Sequence, residues 1–183
     1  MLAFMIKPVA IAAAISTFAA SGSAQPLHPA PCPPAQAGAF AFVVGTWEGK
    51  LYDFKGSDST SNGVTAVVTT TTLLNGCAIE ERSHYEDHGA TESDGVELRA
   101  FDAPTQRWHY AGYTTLNQFY TYDGEYDGGI WRFFFHGTID GKPAHIRISY
   151  VQTPWGYSKQ IARSAEGTTW VTTRHFNFTR RGS

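Results

Sequence analysis

The side chains with most chemical capacity are concentrated between residues 130 and 152. Arg132, His136, His145 and Arg147 alternate there with Trp131, Phe133, Phe135, Ile146, Ile148 and Tyr150. Asp140-Gly141 lies midway, and this pair suits a two-residue hairpin turn because both positions tolerate positive φ. Such a turn opposes Ile139 with Lys142, His136 with His145, Phe135 with Ile146, Phe134 with Arg147, Phe133 with Ile148 and Trp131 with Tyr150. Side chains alternate across a strand, so the hairpin separates into two faces. One face carries Trp131, Phe133, Phe135, Ile146, Ile148 and Tyr150. The other carries Arg132, Phe134, His136, His145, Arg147 and Ser149. Turned into an enclosed lumen, the basic face would clamp a carboxylate or another anion. Turned to solvent, it leaves the lumen to the aromatic face, and small barrels do fill their interiors with apolar side chains. Even an apolar pocket needs a few convergent polar groups to orient a ligand, and Arg99, His109 and Tyr113 on neighbouring strands are placed to supply them.

Other reactive patterns are weaker. His84 and His88 flank Glu86 and Asp87 in "HYEDHG". On a helix that spacing would set both imidazoles on one face for zinc, but the segment reads as a strand end followed by a loop, so no metal site is expected. Asp123, Glu125 and Asp127 in "DGEYDGG" suggest a calcium loop but lack the distal glutamate of an EF-hand, and an acidic hairpin turn is the better reading. The sequence has no Gly-x-Ser-x-Gly elbow, phosphate-binding glycine loop, dinucleotide fingerprint or His-Glu-x-x-His, and no catalytic residue is assigned. Cys32 and Cys77 are set beside no helix N-terminus or basic cluster that would activate a thiolate. In an oxidising compartment they would form a disulfide tying the N-terminal segment to the domain, with two unpaired thiols as the alternative.

The elements that must position these residues are strands. Aromatic residues make up 14% of the chain and fall mainly in strand-like segments, alongside many Thr and Gly residues and few helix formers. Ten short strands are predicted, at about 46–54, 64–74, 77–86, 95–102, 107–114, 118–123, 130–137, 143–152, 156–164 and 169–180. Asn75-Gly76 marks a further tight hairpin. The pattern describes an all-β protein, a single antiparallel meander of eight to ten strands closed into a barrel, since closure removes exposed edges. On the last strand Trp170, Thr172, Arg174, Phe176, Phe178 and Arg180 would share one side. Residues 25–39 hold five prolines and read as an extended strap, with a short turn near 35–41 as the only helix-like piece. Residues 1–24 carry one charge, Lys7, then an apolar run from Val9 to Ala20 and small residues at Gly22 and Ala24. That is a secretory signal peptide pattern, and the run is too short to span a bilayer. The expected product is secreted or periplasmic, a domain over residues 40–181 with no membrane span after cleavage. Removing Lys7 leaves 13 of the 14 basic residues against 16 acidic ones, so nucleic acid is not an expected partner.

Three stretches, "FVVGTWEG", "GVELRAFDAPTQRW" and "SAEGTTWVTTRHFNFTR", resemble a lipocalin-like family of bacterial proteins in the calycin group, over about Phe40 to Arg180. The resemblance implies a closed antiparallel barrel with an internal cavity. It also implies that the Gly-x-Trp opens the first strand and plugs one end, with a basic residue of the last strand over the indole. Those residues would be Gly45, Trp47 and either Arg174 or Arg180. The family implies no single activity. The leading expectation is an exported barrel that binds a small, largely apolar molecule, neutral or anionic, without a cofactor. The lumen candidates are Arg99, His109, Tyr113, Trp131, Phe133, Phe135, Arg147 and Tyr150. One rival is a cavity enzyme doing proton-transfer chemistry of the isomerase or cyclase type, which needs a lumenal His or carboxylate with a shifted pKa. Another is haem binding, as in nitrobindin-like barrels, with His109, His136, His145 or His175 as axial ligand. The blandest is a packed barrel whose surface binds another protein.

Overall fold

A computed structural model describes residues 32–55, 58–139 and 142–182. The segment expected to be a signal peptide, the first part of the proline-rich strap and the expected turn at residues 140–141 lie outside the described residues. Ten strands form one closed antiparallel barrel: β1 Gly45–Lys55, β2 Asp58–Leu73, β3 Ala78–Asp87, β4 Ala90–Asp102, β5 Arg107–Thr114, β6 Phe119–Asp127, β7 Ile130–Ile139, β8 Lys142–Thr153, β9 Gly156–Ser164 and β10 Val171–Arg180. Each strand pairs with its sequence neighbours, and β1 pairs with β10 to close the wall, setting Trp47 opposite Arg180. All ten predicted strands are present. β2, β4 and β6 run several residues beyond their predicted bounds, because each extension pairs with its hairpin neighbour, β1, β3 and β7 respectively, through residues that read locally as loop.

The β7–β8 register is the expected one, from Ile139 opposite Lys142 to Trp131 opposite Tyr150. The apolar face is inside: Trp131, Phe133, Ile148 and Tyr150 are buried, and Phe135 and Ile146 are half-buried nearer the rim. The β2–β3 connection differs from the two-residue turn expected at Asn75-Gly76. Leu73 pairs with Ala78, so four residues make the loop, with positive φ at Leu74, Asn75 and Gly76. The strap explains this. A Cβ on Gly76 would lie 2.3 Å from the Ala37 carbonyl oxygen, so the loop must bulge around the strap with a residue that has no side chain. Cys77, the last loop residue, forms a disulfide with Cys32.

The strap itself corrects the sequence reading. Its described part is a packed element and not merely an extended linker. A one-turn helix, α1 (Pro34–Ala37), and a 3-10 turn at Ala41–Val43 lay it across one end of the barrel. Trp108 Nε1 donates to Gln36 Oε1 at 2.9 Å, and Trp131 Nε1 donates to the Ala39 carbonyl at 2.9 Å. Phe40 then enters the core, its ring 4.1 Å from that of Trp131 and 5.0 Å from that of Trp108. Two indole N–H groups that would be costly to bury alone are thereby satisfied by the strap.

Trp47 sits at this closed end, buried, with Nε1 donating to the Val43 carbonyl at 2.7 Å and its ring edge-on to Tyr157. The guanidinium of Arg180 covers it at 5.0 Å from the ring centroid. Gly45 has φ +124°, and a Cβ there would meet the Arg180 guanidinium at 3.1 Å. Arg174 is at the other end of the barrel, paired with Asp53 at 3.0 Å. A bulge between Thr172 and Arg174 shifts the alternation of β10, which corrects the face assigned to Trp170. Phe176 and Phe178 point inward, whereas Trp170 lies outside against Phe134 and under the Arg147 guanidinium.

Candidate functional site

Inside the barrel, above the aromatic plug, lie four ionisable side chains. Glu81 of β3, Glu97 and Arg99 of β4 and Lys159 of β9 are 1%, 4%, 0% and 4% exposed. Their strands bring them together because β3 and β4 pair Glu81 directly with Glu97, while β9 faces them across the lumen. Arg99 donates to Glu81 Oε2 through both terminal nitrogens at 3.1 Å, to Glu97 Oε2 at 2.7 Å and to the Tyr150 hydroxyl. Its guanidinium lies between the rings of Tyr110 and Tyr150, 4.8 and 4.6 Å from their centroids. Lys159 Nζ reaches the two Glu97 oxygens at 3.3 and 3.4 Å and Glu81 Oε1 at 3.7 Å. Tyr120 donates its hydroxyl to Glu97 Oε1 at 2.9 Å.

Each of these charges would be expensive to bury alone, and the set is sustained by mutual pairing. Burial works to raise Glu97, but Lys159 and then Arg99 outweigh it and hold that carboxyl at about 2. Glu81 goes the other way. Burial raises it, Arg99 opposes, and the neighbouring Glu97 charge adds to the rise. The two carboxyls are neighbours across the β3–β4 ladder, so the charge on Glu97 opposes ionisation of Glu81. Burial alone would lower Lys159, yet Glu97 raises it well above its ordinary value. Desolvation keeps the phenols of Tyr110, Tyr120 and Tyr150 protonated.

A cavity of about 270 Å³ opens above this floor, toward the end of the barrel opposite Trp47. Glu97, Lys159 and Tyr110 form its base. Leu51, Val64, Ile148, Ile161 and Phe176 give apolar wall, and Tyr85, Tyr120 and Tyr122 give aromatic wall. Exposed Glu92, Gln118 and Arg174 mark the mouth. Two wall hydroxyls are unspent: Thr114 Oγ1 is buried with no hydrogen-bond partner, and Tyr122 makes none among the described residues.

Against this site the expected lumen residues divide. Arg99, Trp131, Phe133, Phe135 and Tyr150 do point inward, but none of them lines the cavity: Trp131 and Phe133 belong to the plug packing, and Arg99 and Tyr150 to the charged floor. His109, Tyr113 and Arg147 do not. Trp108 and Tyr110 take the inward positions of β5, so the intervening His109 faces outward, bonded to Asp123 at 2.9 Å, and Tyr113 is half exposed. Arg147 lies on the outer face of β8 over Trp170. The histidines considered as axial haem ligands are also outside: His136 and His145 contact each other at 2.6 Å, and His175 stacks on Tyr52. His84 is held on the outer face of β3 by Asp94 at 2.7 Å and Glu86 at 3.3 Å. Among the described residues no three His, Cys, Asp or Glu side chains converge on a common point that could hold a metal ion, and no helix is long and apolar enough to cross a membrane.

Glu81, Glu97 and Lys159 escaped the sequence reading because β4 inverts the usual pattern. Its apolar Val96 and Leu98 face solvent, while Glu97 and Arg99 face the lumen. The available signal was the spacing Glu81-x-Ser83 and Glu97-x-Arg99 on adjacent strands, which puts opposite charges on the same side. Compared with models of known protein families and with curated proteins, the sequence matches none.

Proposed function

We propose that this is an exported binding protein of the lipocalin-like kind, which holds one small amphipathic molecule in the barrel lumen. The observation that carries the reading is the cavity: apolar and aromatic walls, an open mouth, and a floor of mutually paired charges with a spare Thr114 hydroxyl above it. That combination suits a ligand that buries an apolar body and turns a polar group inward. The Gly45, Trp47 and Arg180 arrangement at the opposite end supports the lipocalin-like kinship, and the Cys32–Cys77 disulfide supports export to an oxidising compartment. The proton-transfer alternative finds a carboxyl with a raised pKa in Glu81, but that group is held by Arg99 and does not line the cavity. Native mass spectrometry of the protein purified from its own host tests the reading. A co-purifying compound released on denaturation is the expected result, and it names the ligand. Protein that is uniformly empty, and that also takes up no small apolar probe, overturns it.

A further inference from the structure

The reading above leaves open whether the ligand is charged. We infer that the cavity takes an uncharged molecule with a flat apolar body and a hydroxyl or carbonyl head, which meets the Tyr122 hydroxyl on the wall. The inference rests on the binding reading and adds the charge and the head group of the ligand.

The first argument is the pairing of the charges that face the cavity. Glu97 and Lys159 line its floor and Glu92 and Arg174 its mouth, one of each sign at either level. The floor pair is already spent. Glu97 Oε1 accepts from Tyr120 at 2.9 Å and from Lys159 at 3.3 Å, and Oε2 accepts from Arg99 at 2.7 Å and from Lys159 at 3.4 Å. Lys159 also reaches Glu81 Oε1 at 3.7 Å. A ligand carboxylate can pair with Lys159 only by drawing it from Glu97, and a ligand ammonium can pair with Glu97 only by displacing Lys159. Either exchange leaves a buried charge short of its partner, while the ligand's own charge gives up its water on entry. At the mouth Arg174 is held by Asp53 at 3.0 Å and Glu92 is exposed, so no single sign guards the entrance. Both signs of head are penalised, and a neutral head is not.

The second argument is what the wall offers instead. Its remaining polar lining is uncharged, and Tyr122 is the member held most firmly with a hydroxyl to spare. The Tyr122 ring is stacked on Tyr110 at 5.2 Å and edge-on to Tyr120 at 5.7 Å. Its hydroxyl makes no hydrogen bond among the described residues. A phenol hydroxyl both donates and accepts, so it matches a ligand hydroxyl or carbonyl. Because packing has already fixed the ring, binding costs it little further freedom. Thr114 Oγ1, buried on the same lining without a partner, is a second group of this kind. The rings of Tyr85, Tyr120 and Tyr122 give flat surfaces on which a flat apolar body can stack, and the volume of about 270 Å³ restricts it to a small one.

Calorimetric titration of the full-length protein with cinnamyl alcohol, cinnamate and cinnamylamine at about pH 7 tests this, because the three share a flat body and differ in the charge of the head. The alcohol is expected to bind more tightly than either ion, by about tenfold or more. Tyr122→Phe keeps the ring and removes the hydroxyl. It should weaken the alcohol by about fivefold and leave the hydrocarbon trans-β-methylstyrene within about threefold. The substitution leaves no protein group without a partner, so the variant is expected to fold, and should it fail to fold the wild-type ranking alone decides. A smaller or reversed preference overturns the uncharged class and leaves the binding reading standing. An alcohol affinity unchanged in folded Tyr122→Phe places the head elsewhere and overturns the Tyr122 assignment. If none of the three binds, the compound recovered by native mass spectrometry decides. An uncharged compound upholds the class, a charged one overturns it, and with no compound at all both readings fall together.

Discussion

The two ends of the barrel solve opposite problems with similar residues. At the closed end Trp47, Trp108, Trp131, Phe40 and Tyr157 fill the lumen completely, and each indole N–H is matched to an oxygen of the strap or of the chain leading into β1. At the open end tyrosines replace tryptophans, the Thr114 hydroxyl is left without a partner, and space remains. The charged floor separates the two. Aromatic residues alone therefore do not mark a binding site in such a barrel. What distinguishes the site is open space bounded by aromatic and polar atoms, since a buried hydroxyl without a partner occurs at both ends, on Thr114 at the open one and on Tyr157 in the plug.

The contrast can be broken from either side, and the largest effect is expected at the floor. Arg99→Leu removes the donors that hold Glu81, Glu97 and Tyr150 together and should cost about 3–5 kcal/mol in urea denaturation, with loss of ligand affinity as well. Trp47→Ala removes a plug residue and should cost about 3–4 kcal/mol while leaving the affinity of a cavity ligand within about threefold. A parallel loss of affinity would show that the ends are not independent. Replacing Cys32 and Cys77 together by Ser releases a bridge spanning 45 residues and should cost about 2–4 kcal/mol, again without changing ligand affinity.

The pH dependence separates the two carboxyls of the floor. Glu97 is depressed to about 2, so its contribution is present above its unfolded value of 4.5 and is lost as pH falls from there toward 2, by up to about 3 kcal/mol. Glu81 is raised, so its contribution is present below 4.5 and fades as pH rises through its folded value. Denaturation midpoints over roughly pH 2 to 8 should pass through a maximum near the ordinary glutamate pKa, and Glu81→Gln should flatten the high-pH limb only. The smallest effect belongs to Arg180→Gln. It uncovers the Trp47 ring and should cost about 0.5–1 kcal/mol.

Much of the container was legible in the sequence. The alternation of Trp131, Phe133 and Phe135 with Arg132, Phe134 and His136, anchored by the 140–141 turn, determined the register of β7 and β8 and the two sets of faces, while the choice of inward face came from the structure. The Gly45-x-Trp47 plug was also legible, although only the structure chooses Arg180 over Arg174, because the β1–β10 register that sets Arg180 opposite Trp47 and Arg174 opposite Asp53 cannot be read from either strand alone. The site was less legible, for a physical reason. Charged residues inside a barrel are stable only as a set, and the set is assembled from β3, β4 and β9. Read one strand at a time, Glu81 and Lys159 look like solvated positions, and on β4 the exposed Val96 and Leu98 reinforce the wrong orientation.

The division of aromatic types also has a spectroscopic consequence. Trp47, Trp108 and Trp131 are clustered at the plug, Trp155 and Trp170 lie outside the barrel wall, and no tryptophan lines the cavity. Emission from the indoles therefore reports the closed end and the surface, while phenol absorbance from Tyr85, Tyr110, Tyr120 and Tyr122 reports the cavity. The edge-on contact of Trp108 and Trp131, at 5.1 Å, is close enough to give an exciton couplet in near-ultraviolet circular dichroism. One sample thus contains two native optical probes, one for each end, and no label is needed to watch them melt together or apart.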